Sequence, residues 1–250
     1  MRSLTARVLI ALLAFTIGIT AASVWSFDRR KTESRPTQKL QPQALNPSEE
    51  ILSVLMPNHV WADVTQVNRF DRAEEIRVLK EAQVEARDER AISIAFLLAV
   101  LGDDYEPNRK QLLDALKQCA GKPYPEAAEC TYFVADYLME LCRRGDFSLL
   151  GPLFDMDGKA DGAFAESLGS FYSDMLAEHP DRFLKTLSLY PKNQQRDLCA
   201  AAAVEDGGGM AEEKFRTVHE SLLHIFDASL RTVGRTCSRG LELGYRRSSP

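Results

Sequence analysis

An all-α fold is what this sequence predicts, and three observations predict it. From about residue 48 onward, apolar residues recur at the spacing of amphipathic helices. Prolines, capping residues and first-turn acids mark helix starts, while glycines mark the ends. No segment alternates with the period of two that a half-buried strand requires.

The elements follow in order from the N-terminus. Arg2 and Arg7 precede an uncharged stretch from Val8 to Phe27. Twenty residues suffice for a membrane-spanning helix, and they are long for the apolar core of a signal peptide. Thr20, Ala21, Ala22 and Ser23 offer small residues beside which a signal peptidase cuts, so residues 1–27 read as a signal-anchor or a signal peptide, with length favouring the anchor. Arg29, Arg30, Lys31, Arg35 and Lys39 follow the stretch and outnumber the two arginines before it, which by the positive-inside rule would hold the body in the cytoplasm. The basic, apolar, small-residue start instead matches exported bacterial proteins, and Trp25 stands where an interfacial aromatic would. The expected address is therefore the inner membrane with the body facing the periplasm, or export if the segment is cleaved. A cytoplasm-facing anchor is the alternative.

Residues 28–47 are polar, hold three prolines and form an extended linker. The folded part, 48–250, opens with Pro47, Ser48 as N-cap and the first-turn acids Glu49 and Glu50. "DRAEEIRVLKEAQVEA" is one helix. The next, from Asp88 to Gly102, has so little polar surface that it belongs at the centre. Pro107 opens a third, with Leu112, Leu116 and Cys119 on one face. Pro125 opens a fourth, striped by Cys130, Phe133, Val134, Tyr137, Leu138, Leu141 and Cys142. Phe164, Leu168, Phe171, Tyr172 and Met175 stripe a fifth, and two more helices follow the break at Gly207–Gly209.

A long apolar helix, a tight turn and a shorter helix with paired leucines recur in "AFLLAVLGDDYEPNRKQLLDAL", "ADYLMELCRRGDFSLLGPLF" and "SFYSDMLAEHPDRFLKTLSLY". The turns at Gly102, Gly145 and Pro180 lie 43 and 35 residues apart, near the roughly 40 of HEAT-type helix pairs. On this spacing the chain resembles HEAT-like or armadillo-like α-solenoids over about residues 70–230. The resemblance implies stacked antiparallel helix pairs whose surface binds another protein, with no catalytic residues. An irregular helical bundle is the other architecture that fits.

Charge narrows the partners. The net charge is −5, and residues 1–40 hold seven Lys/Arg against two Asp/Glu, which leaves −10 on the remainder. An acidic body argues against nucleic acid, whose binding rests on cations that neutralise phosphates. Arg231, Arg235 and Arg239, four apart, form a basic stripe that is either a solvated face near a helix C-terminus, where cations suit the dipole, or in contact with an anionic surface.

Five cysteines are present. Cys119 ends one predicted helix and Cys130 begins the next, so a short hairpin brings them within disulfide reach; the alternative is that all five cysteines are small buried hydrophobes. Cys130 and Cys142 share a helix about 18 Å apart along its axis and cannot bridge. The odd number leaves at least one thiol unpaired in a monomer.

The stretch "LLGPLFDMDGKADGAFAES" gathers Asp155, Asp157 and Asp161 around two glycines. Calcium loops of the EF-hand type place ligands at positions 1, 3, 5 and 12 with glycine at 6. Starting at Asp155, Asp157 falls at 3, Asp161 at 7 and Glu166 at 12, but Lys159 takes 5 and Ala160 takes 6. Shifting the register to put Gly158 at 6 leaves Leu153 and Phe164 at the two end positions. The simpler expectation is a turn in which Gly158 adopts the left-handed conformation and Asp161 caps the next helix. His219 and His224 in "HESLLH" are five apart, about 140° around a helix, and so miss the i, i+4 geometry of a zinc site. The acid pairs Glu49–Glu50, Glu74–Glu75 and Asp103–Asp104 read as solvated helix starts. No phosphate loop, dinucleotide glycine pattern or nucleophile elbow is present. The expected function is a non-enzymatic, membrane-tethered envelope scaffold that binds a protein partner and needs no cofactor. A metal-dependent or small-molecule-binding helical domain using the degenerate loop at 155–166 is the alternative.

Overall fold

A computed structural model describes residues 46–248 apart from 120–121, 123–125, 161 and 206–207. The predicted membrane segment and nearly all of the linker lie outside the described residues. Among the described residues, no helix is long and apolar enough to cross a membrane.

The described chain is predominantly helical. Eleven α-helices follow one another: α1 (Pro47–Leu55), α2 (Arg72–Glu85), α3 (Asp88–Val100), α4 (Tyr105–Cys119), α5 (Glu126–Arg143), α6 (Leu150–Asp157), α7 (Gly162–Glu178), α8 (Pro180–Leu187), α9 (Lys192–Ala201), α10 (Glu212–Leu223) and α11 (Arg231–Ser248). Short 3-10 turns occupy Val64–Gln66 and Phe147–Leu149. A minimal antiparallel hairpin joins β1 (Val204–Glu205) to β2 (Gly208–Gly209). It falls at the predicted glycine break and is too short for any period of two to register.

Local chemistry sets the helix ends. Asn46, not Ser48, caps α1: its side chain accepts from the Ser48 N–H at 3.2 Å, and the Glu49 carboxylate accepts from the Asn46 N–H at 3.3 Å. This capping box satisfies two first-turn donors, and Pro47 costs no hydrogen bond because its donor would be orphaned there anyway. Helix α4 begins at Tyr105, two residues before Pro107, since the first-turn donors that proline lacks have no intrahelical partner.

Helix α3 is central, as its apolar run predicts. Ser93 to Ala99 are all buried, and the helix faces two cores. Ile94, Leu97, Leu98 and Leu101 pack with Ile51 and Leu55 of α1 and Val78 and Leu79 of α2. Phe96 and Ala99 join the larger core built from α4 onward. Each such large apolar side chain removed from water stabilises the fold by about 1.5–3 kcal/mol.

Two turns share one design. Gly102 and Gly145 follow α3 and α5 with φ of 70° and 111°. The Gly102 N–H donates to Ala99 O and the Asp103 N–H to Leu98 O, while Gly145 and Asp146 repeat this onto Cys142 O and Leu141 O. Only glycine adopts that backbone cheaply, and the paired bonds satisfy the orphan carbonyls of a helix end. The aspartate after each glycine reaches back to a cation on an earlier helix, Asp103 to Lys80 at 2.8 Å and Asp146 to Arg109 at 2.6 Å. Asp103 is thereby tied down rather than merely solvated.

The C-terminal half is drawn together by glycine. A Cβ on Gly240 would lie 2.2 Å from the Arg196 carbonyl oxygen, and one on Gly244 would lie 2.2 Å from that of Ala200. The paired positions rise by four on both helices, so α9 and α11 run parallel with their backbones nearly in contact. Cys199 and Cys237 form a disulfide across this seam, their Cα atoms 5.1 Å apart. Gly169 of α7 is pressed as closely against the Val204 carbonyl, 2.1 Å from where a Cβ would sit.

Candidate functional site

The acidic stretch does not form a ligand cage. Helix α6 extends through Asp157, so Asp155 and Asp157 are helical and project about 200° apart. Asp155 Oδ1 lies 3.0 Å from the Tyr190 hydroxyl, which is also 3.0 Å from Gly151 O. Asp157 is half-buried; burial, and then repulsion by Asp197, push its carboxyl up to about 6. Glu166 lies in the second turn of α7, and Asp161 lies outside the described residues. The expected turn is also differently built. Gly158 stays right-handed at φ −68°, and the left-handed reversal is made by Gly162 at φ 48°. Among the described residues, no group of three or more His, Cys, Asp or Glu is placed to hold a metal.

The other predicted residues are dispersed. Arg231, Arg235 and Arg239 are all exposed, but they occupy the N-terminal half of α11, so the favourable dipole expected of a C-terminal position does not apply. Arg231 Nε donates to Ile225 O at 3.4 Å. His219 Nε2 is 2.9 Å from Glu242 Oε1 with its ring stacked on Phe215, whereas His224 is exposed. Cys119 and Cys130 form a disulfide with Cα atoms 5.4 Å apart, and Cys142 is a buried free thiol. Glu75 departs from its expected solvated role. It is fully buried, and its two oxygens accept from the Asn68 and Phe70 N–H groups, each at 3.1 Å.

Among the clefts that the fold opens at the surface, one lies beside Trp61. The loop after α1 is fixed at several points. Asn58 Oδ1 accepts from the Val60 N–H at 3.1 Å and from the Trp61 N–H at 2.7 Å, an Asx-type turn. His59 holds φ 61°, an uncommon value for a residue with a side chain. Beyond the tryptophan, the Ala62 N–H donates to Tyr137 Oη at 2.8 Å and the Asp63 N–H to Leu55 O at 2.8 Å. Tyr137 is itself held by Ser93 at 2.8 Å and by stacking on Phe96.

These constraints present the Trp61 side chain 45% exposed, its ring edge-to-face with Phe133 of α5 at 3.8 Å. The adjoining cleft, of about 330 Å³, is lined by Val60, Trp61, Phe133 and Cys130, with Glu89, Glu126, Glu129 and Lys122 at its edge. The Cys119–Cys130 disulfide fixes that wall to α4. In the sequence Trp61 is marked only as a large aromatic in the turn-rich loop "MPNHVWAD".

These features define an α-helical body with a preformed aromatic cleft and no assembled metal site among the described residues. No family model, curated protein or solved structure matches the chain.

Proposed function

We propose that the protein is a non-enzymatic helical scaffold, tethered to the membrane of a bacterial-type cell envelope through residues 8–27, which binds another protein at the Trp61 face. The observation that carries this is the immobilised, half-exposed tryptophan. Holding a large aromatic in water costs free energy that the fold could have avoided by turning it inward, and rigid aromatics are the usual anchors of protein interfaces. The repeated glycine–aspartate turns, with their backward ion pairs, support a stacked helix-pair array of the HEAT-like kind. Two disulfides support a periplasm-facing body, because such bonds persist in oxidising compartments.

Alkaline-phosphatase and fluorescent-protein fusions at the C-terminus, read with cell fractionation, test the address. Phosphatase activity in the membrane fraction is expected. Fluorescence without phosphatase activity would put the body in the cytoplasm. A photocrosslinking residue at position 61 tests the interface in living cells. A discrete adduct is expected there and not at exposed Val84; the same adducts at both positions, or none at 61, would overturn the interface.

A further inference from the structure

We infer that the Trp61 cleft receives a basic side chain, arginine or lysine, carried on an exposed segment of the partner protein; this rests on the scaffold function proposed above. The cleft has one aromatic wall, Trp61 and Phe133, and its rim sets three carboxylates against one ammonium. An indole face attracts a cation through its quadrupole, and carboxylates around it add Coulombic attraction that strengthens as the occupant displaces water.

Several helical acids are paired with a cation about one turn away, Glu74 with Arg77, Glu140 with Arg144 and Asp114 with Lys110. Glu89, Glu126 and Glu129 make no ion pair among the described residues, although Lys122 lies on the same rim. Their charge is thus left for an occupant.

Size and hydrogen bonding favour a side chain on a peptide over a larger free ligand. The volume is at the bottom of the roughly 300–1,000 Å³ range of small-molecule sites and suits one long, thin side chain. The Trp61 indole N–H meets no acceptor among the described residues, and a backbone carbonyl flanking the basic residue would supply one. The aliphatic stem of arginine or lysine lies along the rings while its charged head reaches the glutamates.

The test uses the full chain in a non-ionic detergent with its two tryptophans, Trp25 and Trp61, labelled at the indole nitrogen, and Trp61→Phe assigns the signals. The probe is acetyl-Gly-Arg-Gly-amide, and the control replaces arginine by citrulline, which keeps the shape without the charge. The Trp61 signal is expected to shift saturably with the arginine peptide and to stay in place with the control. The triple variant Glu89→Gln, Glu126→Gln, Glu129→Gln should weaken the response by about fivefold or more. An equal response to citrulline, or an undiminished response of the triple variant, overturns the inference. The position-61 crosslink separates this from the scaffold function: an adduct that forms undiminished in the triple variant leaves the scaffold standing and removes the basic side chain.

Discussion

Asp157 and Asp146 behave oppositely although both are partly buried. Asp157 lacks a compensating donor, so burial and Asp197 push it up to about 6. The folded state then holds its proton more tightly than the unfolded chain, and stability from this group is present at low pH and is lost as pH rises through about 6. Asp157→Asn should therefore exceed wild type by roughly 1–3 kcal/mol at pH 8, with the difference fading toward pH 4, as read from urea unfolding at both values. Burial also pushes Asp146 up, but hydrogen bonds from Ser148, Tyr105 and Arg109 outweigh it and hold the carboxyl below its ordinary value. Its contribution is present above the ordinary carboxylate range and is lost as pH falls through it. Asp146→Asn should cost about 2–4 kcal/mol at pH 7 in the same assay, because Arg109 is left half-buried without its partner. Neither difference was legible in the sequence. Asp157 stood out there as a loop ligand and Asp146 not at all, since a carboxylate's role is set by donors arriving from residues 37 and 41 positions away.

Helices were legible because periodicity and caps are local; their partners were not. The stripe on α5 and the apolar run of α3 predicted burial correctly, since an amphipathic face has only one stable destination. Gly240 and Gly244 left a visible four-residue spacing, but nothing in the sequence said that the carbonyls of Arg196 and Ala200 would press against them. Gly240→Ala should destabilise by about 3 kcal/mol or more, seen as a lowered thermal midpoint, because backbone atoms cannot retreat as a side chain can. Gly158→Ala is the matched contrast. Its backbone is right-handed and nothing lies within 4 Å of the added methyl. A gain of about 0.4–1 kcal/mol is expected from the stiffer unfolded chain, whereas the left-handed conformation expected from sequence would have made the same change destabilising.

Across the whole molecule, the two disulfides divide by how far apart in sequence their cysteines lie. Cys119 and Cys130 are 11 residues apart, close enough for a hairpin argument, whereas Cys199 and Cys237 are 38 apart and paired only by tertiary packing. Replacing both Cys199 and Cys237 with serine should lower stability by about 3–4 kcal/mol in denaturant unfolding of the oxidised proteins, and the shorter bridge should cost less. The seam that the longer bridge crosses also orders events during synthesis. Helices α1 to α5 meet neighbours close in the chain and can finish packing as they emerge. Helix α9 cannot, because the face that α11 covers stays in water until residues 231–248 have been made. A chain terminated before Arg231 would keep its N-terminal helices yet expose Leu198 and Cys199, which makes it a protease substrate and not a smaller working protein.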